Sequence, residues 1–170
     1  MSSPFPINKV LLVGGGNAAH AMAALFPSRG FETNMLANFA DKAERINASL
    51  AQHGCITATF DAHNTPSGAV QGRPTLVSKH AADVMAGVRV IIMPLPSFAY
   101  KSALEALKPY LTPGMHIGVT PGKGGFDWQT RDVLGALASE IVFFALLPMP
   151  LNCRITEFGK AVAVQEFKTQ

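Results

Sequence analysis

The sequence predicts an α/β domain built on a doubly wound parallel sheet, and three observations carry that prediction. An apolar run, VLLV at 10–13, breaks into the triple glycine GGG at 14–16 and then into alanine-rich sequence. Apolar β-rich runs alternate with stretches of helical period along most of the chain, the pattern that strand–helix–strand units impose. The 170 residues are 48% apolar and 15% charged, enough to bury one full core, so a single domain over 1–170 is expected.

Lys9 to Val13 is a continuous apolar strand of the kind covered on both faces, and Asn17 to Phe26 is an alanine-rich helix that Pro27 and Gly30 bring to an end. Phe31 to Ala37 is the second strand. Asp41 to His53 is helical, with Ala43, Ile46 and Leu50 on one face and Gly54 as its stop. Ile56 to Phe60 and Thr75 to Ser78 read as strands on either side of DAHNTPSGAVQGRP, whose Asn, Pro and Gly content marks a hairpin or surface excursion. Val88 to Leu95 is a strongly apolar strand. Tyr100 to Leu111 follows as a helix with Leu104, Leu107 and Leu111 in register, and Met115 to Thr120 is the next strand. Trp128 to Ala138 is helical, Ile141 to Leu147 is a buried strand, and RITEFGKAVAVQEF at 154–167 alternates as a C-terminal β-hairpin turning at Gly159 and Lys160.

Composition narrows the function classes. Fourteen Lys and Arg against eleven Asp and Glu give a net charge of +3, and the basic residues are scattered, so no nucleic-acid footprint is expected. Cys55 and Cys153 lie far apart and form no ligand pattern with the five histidines, which predicts neither a disulfide scaffold nor a metal site. The start, MSSPFPINK, has no signal-peptide character and no apolar run reaches the length of a membrane span. A cytoplasmic protein without a membrane partner is the expectation.

In a doubly wound sheet the ligand lies beyond the carboxyl ends of the strands, where strand order reverses, and the first strand ends at the glycines. GGGNAA satisfies the GxGxxA pattern with Gly14, Gly16 and Ala19: a tight turn, a side-chain-free approach to a diphosphate, and a close helix–strand contact. Gly15 adds freedom to the same turn. The motif follows a strand and opens a helix, the context of a Rossmann-type nicotinamide-dinucleotide site, with the diphosphate on helix amides carrying partial positive charge. A methyltransferase using the same sheet is the competing reading of the glycines. No GK[ST] closes them, so a P-loop is excluded. The acid expected about 20 residues beyond the glycines is missing. Leu36, Ala37, Asn38 and Phe39 occupy that region; Asn38 or Asp41 would suit the ribose of NAD, and Lys42 or Arg45 the 2′-phosphate of NADP. The cofactor is therefore expected to be NAD or NADP, left open between the two.

With these residues placed, the chain resembles the N-terminal nucleotide-binding domain of the opine dehydrogenases, in particular the octopine dehydrogenase branch. The likeness rests on VGGGNAAHAMAAL at 13–25, NFADKAERI at 38–46, GRPTLVSK at 72–79, VIIMPLPSFAYKSALEALKPYL at 90–111, GFDWQTRDVLG at 125–135 and LPMPLNCRITEFGKAVAV at 147–164. It implies an enzyme that condenses an amino acid with a 2-keto acid such as pyruvate, using NADH or NADPH. It implies further that Gly14, Gly16, Asn17 and Ala18 surround the diphosphate, that Pro94, Leu95, Pro96 and Ser97 run under the nicotinamide-side ribose, and that Cys153 lies near the amino-acid substrate, followed by Arg154. Read from the residues alone, Cys153 is an inert small side chain. Lys123, in the loop TPGKGGF, has no family role to inherit and reads as a solvated loop lysine.

The resemblance further implies a second, helical domain that carries the catalytic His and Asp, and residues 1–170 are expected to hold no counterpart of it. His20, His53, His63, His80 and His116 lack acid partners and read as surface or packing residues, so no catalytic residue is assigned. The chain by itself is thus expected to bind coenzyme without turnover. LLPMPLN at 146–152 is expected to form an apolar surface for a helical domain or for self-association. The alternative is a stand-alone nicotinamide-dinucleotide-binding or sensor module, and a different reductase such as a ketopantoate-reductase relative would share the first half but not the RITEFG segment.

Overall fold

The computed structural model describes residues 7–61, 67–122 and 124–168; His63 and Lys123 lie outside the described residues. Six parallel strands form the main sheet. They are β1 (Lys9–Val13), β2 (Glu32–Leu36), β5 (Leu76–Ser78), β6 (Val90–Met93), β7 (His116–Val119) and β8 (Val142–Ala145), in the order β5-β2-β1-β6-β7-β8. The register aligns Val13 with Leu36 on one side of β1 and Leu12 with Ile92 on the other, so their carboxyl ends reach one edge together.

β1 is buried because layers lie on both faces, and its alternation sorts its side chains between them. Leu11 and Val13 join Leu36, Ile91 and Met93 in a core completed by α3 (Ala81–Val84), α4 (Tyr100–Leu107) and α5 (Phe126–Leu134). Leu12 points the other way, into a core with α1 (Asn17–Ser28) and α2 (Lys42–His53).

A second sheet overlies α1. β3 (Ile56–Phe60) pairs antiparallel with β4 (Gly68–Gly72) and parallel with β10 (Ala161–Phe167), which pairs antiparallel with β9 (Leu151–Glu157). α1 is therefore buried between two sheets, and every residue from Ala18 to Ala24 is inaccessible to solvent or nearly so. An all-round apolar helix needs such a position, and its alanines let backbones come close. A Cβ on Gly72 of β4 would lie 2.2 Å from the carbonyl oxygen of Ala24.

Several expectations change. The strand at 56–60 does not belong to the main sheet, and a strand begins within the expected excursion; β5 is the edge strand of the parallel sheet, next to β2. The predicted C-terminal hairpin is present but starts at Leu151, and it is half of the second sheet rather than an appendage. α1 continues through Pro27 to Ser28, because a proline in the last turn forfeits one bond while the amides of Arg29 and Gly30 close onto Phe26 and Pro27. Residues 135–140 form a 3-10 segment rather than more of α5, and β8 is half-exposed because it is an edge strand.

Candidate functional site: two clefts at the first glycine turn

Strand order reverses between β1 and β6, and the glycines lie at that point. Gly14 adopts φ +120°, its amide donates to the Leu36 carbonyl at 2.8 Å, and a Cβ there would stand 2.9 Å from Cδ2 of Leu95. Gly15 is packed by Lys42, whose Cδ would be 3.0 Å from an added Cβ. Gly16 is different. Its backbone, φ −96° and ψ −170°, suits any residue, and apart from its own neighbours along the chain no atom lies within 4 Å of the place a Cβ would occupy. The fold's own packing therefore makes no demand for glycine at 16. Space is kept open there at the start of α1, whose first turn has no side-chain cap and no acidic residue, so its amides and positive dipole end face outward uncompensated.

Two clefts meet at this turn, separated by the Pro94–Pro96 loop that follows β6. One, of about 450 Å³, is bounded by Gly14, Gly15 and Gly16, by Asn38, Phe39 and Lys42 beyond β2, and by Phe98, Ala99, Ser102 and Ala103 at the start of α4. The other, of about 550 Å³, is lined by Asn17, Ala18, Pro94 to Ser97, Pro121, Met149, Leu151 to Arg154 and Lys168. A groove of this form accepts an elongated ligand with its centre over the glycines. The two clefts together hold Gly14, Gly15, Gly16, Asn17, Ala18, Asn38, Pro94, Leu95, Pro96, Ser97 and Cys153.

Asp41 and Arg45 line neither cleft. The Arg45 guanidinium stands 4.1 Å from the Phe158 ring centroid, turned toward the second sheet, with Asp41 3.9 Å away. Cys153 is buried, which raises its thiol pKa against the opposing charge of Arg154; the thiol stays protonated.

Sequence reasoning missed how the second sheet is fastened to the glycine turn. Asn17 Oδ1 accepts from the Ile155 amide of β9 at 2.9 Å. His20, fully buried, has Nε2 accepting from the Gly159 amide at 3.0 Å, which leaves the proton on Nδ1 to donate to the Gly16 carbonyl at 3.0 Å. Phe158 meets the imidazole edge-on at 4.8 Å. Burial lowers the His20 pKa; the bond to Gly16 works against this and the Lys42 charge adds to it, so the ring is neutral. Phe39, Phe98, Met149 and Lys168 were also unforeseen as lining residues, because each comes from a loop, a strand end or, for Phe98, a short 3-10 turn whose direction only the tertiary fold sets.

Among the described residues no group of three or more His, Cys, Asp and Glu could hold a metal, and no helix is long and apolar enough to cross a membrane.

No protein-family model matches the chain. Curated relatives do. An opine dehydrogenase of Haliotis discus hannai is 39% identical over 159 residues, covering 91% of this chain and 39% of that protein. The octopine dehydrogenase of Pecten maximus is 34% identical over 92% of this chain and 39% of its own length, and the tauropine dehydrogenase of Arabella iricolor is 34% identical over 90% and 38%. This chain is a homologue of one part of the opine dehydrogenases. It spans about two-fifths of the length of those opine dehydrogenase relatives. Solved structures agree: an octopine dehydrogenase with NADH and L-arginine superposes with a TM-score of 0.88 at 34% identity, over 94% of this chain and 40% of the other. A yersinopine dehydrogenase bound to NADP+ shares the fold at a TM-score of 0.80 and 15% identity, over 94% of this chain and 39% of that one.

Proposed function

We propose that this chain is the coenzyme-holding part of an opine dehydrogenase-type oxidoreductase. It binds NAD(P)H across the two clefts and, joined to a second domain, serves the reductive condensation of an amino acid with a 2-keto acid such as pyruvate. The observation that carries the reading is the empty space at Gly16. A glycine with an ordinary backbone and no neighbour is explained by something outside the polypeptide, and a diphosphate on the first-turn amides of α1 fits both the room and the charge.

In this reading Gly14 and Gly15 shape the turn, Gly16, Asn17 and Ala18 meet the diphosphate, and Asn38 reaches the adenosine ribose. Pro94, Leu95, Pro96 and Ser97 support the nicotinamide-side ribose. Cys153, with Arg154 and Lys168 in the same cleft, lies on the substrate side, where the two cations suit carboxylates. The bound coenzyme supplies the hydride. What the chain's own residues do is bind and orient, and neither cleft is lined by a described histidine or carboxylate with which to move a proton. The remaining wall of the substrate cleft belongs to the second domain, for which exposed Leu146 and Leu147 offer an apolar seat.

The test is equilibrium titration of the chain with NADH and with NADPH, followed by coenzyme fluorescence. Saturable binding of at least one is expected; a folded chain that binds neither overturns the reading.

A further inference from the structure

We propose that Lys42 makes the adenosine end of this site select the 2′-phosphorylated coenzyme, NADP(H), over NAD(H); the inference rests on the coenzyme reading above. Lys42 is the only charged side chain among the described residues lining the glycine-side cleft. Its stem packs on Gly15 and its ammonium stands 5.2 Å from the centroid of the Phe39 ring, so the charge is held at the lip of the cleft, just past the end of β2. That is where the ribose hydroxyls of a dinucleotide lie in such folds.

Selection for NAD uses a carboxylate there, to accept from both ribose hydroxyls and to repel a 2′-phosphate. None is available. Of the nearest acids, Asp41 is directed to Arg45 and Glu44 is paired with Lys79, and neither borders the cleft. The other nearby cation, Arg45, is committed to Phe158. Lys42 itself has no acidic partner among the described ion pairs. It is also the first residue of α2, at the helix end where the dipole disfavours a cation and favours an anion, and Asp41 before it makes no side-chain cap. A phosphate beside Lys42 answers both the unpaired charge and the uncapped helix end.

The experiment measures dissociation constants of the chain for NADPH and NADH at fixed ionic strength, for wild type, Lys42→Ala, Lys42→Arg and Lys42→Glu, with the thermal midpoint of each variant recorded. Wild type is expected to bind NADPH at least about tenfold more tightly than NADH. Lys42→Ala should bring the ratio near one, Lys42→Arg should keep the preference, and Lys42→Glu should invert it. Equal affinities in wild type, a preference for NADH, or a preference that survives Lys42→Ala overturns the inference. So does equal weakening of both coenzymes by Lys42→Ala, which would place the ammonium on the diphosphate. Failure of folded wild type to bind either coenzyme overturns the functional reading itself and the selectivity with it, and is distinguished from the other outcomes by the absence of any NADH binding.

Discussion

A valine at position 16 would find an allowed backbone and no neighbour within 4 Å, so the chain has no internal reason to resist it. Gly16→Val should therefore lower stability only by the loss of a good helix N-cap, about 1 kcal/mol. Coenzyme affinity should fall by far more than tenfold, because the branched side chain fills the diphosphate's place. Fluorescence titration beside a urea melt checks this, and unchanged affinity would remove the diphosphate from Gly16. His20 carries a different kind of prediction. Its folded pKa lies below the ordinary 6.5, chiefly through burial, so between those two values the unfolded chain binds the extra proton. The stability contributed by the neutral ring is thus fully present above pH 6.5 and lost as pH falls below it. Urea denaturation at pH 7.5 and pH 5 should show that loss in wild type, and His20→Ala, costing about 2–4 kcal/mol at neutral pH through its cavity and the stranded Gly159 amide, should remove that part of the pH dependence. An NMR titration that places His20 at or above 6.5 would refute the assignment of the neutral tautomer. The sequence exposed the glycines at once, yet His20 read as one of five unremarkable histidines. Its two partners, Gly16 and Gly159, are separated by most of the chain, and no local pattern records that they meet.

At the scale of elements, α1 starts where the two clefts meet. Its first residues follow the glycine turn, while Asn17 and His20 hold β9 and the β9–β10 turn, and β9 carries Cys153 and Arg154 into the larger cleft. Asn17→Ala should cost about 1 kcal/mol by freeing the Ile155 amide, and should raise hydrogen exchange there before it does so elsewhere in the sheet. Close packing on the other side of α1 gives a sharper contrast. Gly72→Ala drives a methyl group into the Ala24 carbonyl and should cost about 1–3 kcal/mol or more, while Gly16→Ala should stay within about 1 kcal/mol; similar effects of the two on a urea melt would contradict the α1–β4 contact. Each parallel strand was legible from its apolar run, within a residue or two of its ends. The sheet to which 56–60 belongs was not. An apolar alternation specifies that a strand has a buried face, but β3 finds its parallel neighbour β10 about a hundred residues later, and that pairing is set by α1 needing cover on its second side.

At the scale of the whole molecule, the described residues enclose two apolar cores, one on each face of the main sheet. Among the described residues lining the larger cleft, proposed as the substrate side, there is no histidine or carboxylate, and the small cleft that shares Lys168 with it carries Leu146 and Leu147, both exposed. Purified chain mixed with NADPH or NADH, pyruvate and a panel of amino acids including arginine should therefore bind coenzyme and show no change in reduced-coenzyme absorbance. Turnover at the rate of a full-length opine dehydrogenase would refute this, and rescue by an added helical domain of such an enzyme would support it. The apolar surface expected over 146–152 was only partly realised, since Leu151 turns into the second core while Leu146 and Leu147 stay outside. By itself the sequence determined the strand–helix alternation, the glycine turn at the end of β1 and the relationship to opine dehydrogenases, because each is written in local periodicity or in contiguous motifs. Tertiary structure alone decided that the hairpin and β3 form a second sheet over α1, that Arg45 turns away while Lys42 stays at the cleft, and that Asn17 and His20 fasten one side of the site to the other. Those outcomes depend on which surfaces meet when two sheets enclose one helix, and contacts between distant segments leave no mark on the residues beside them in the chain.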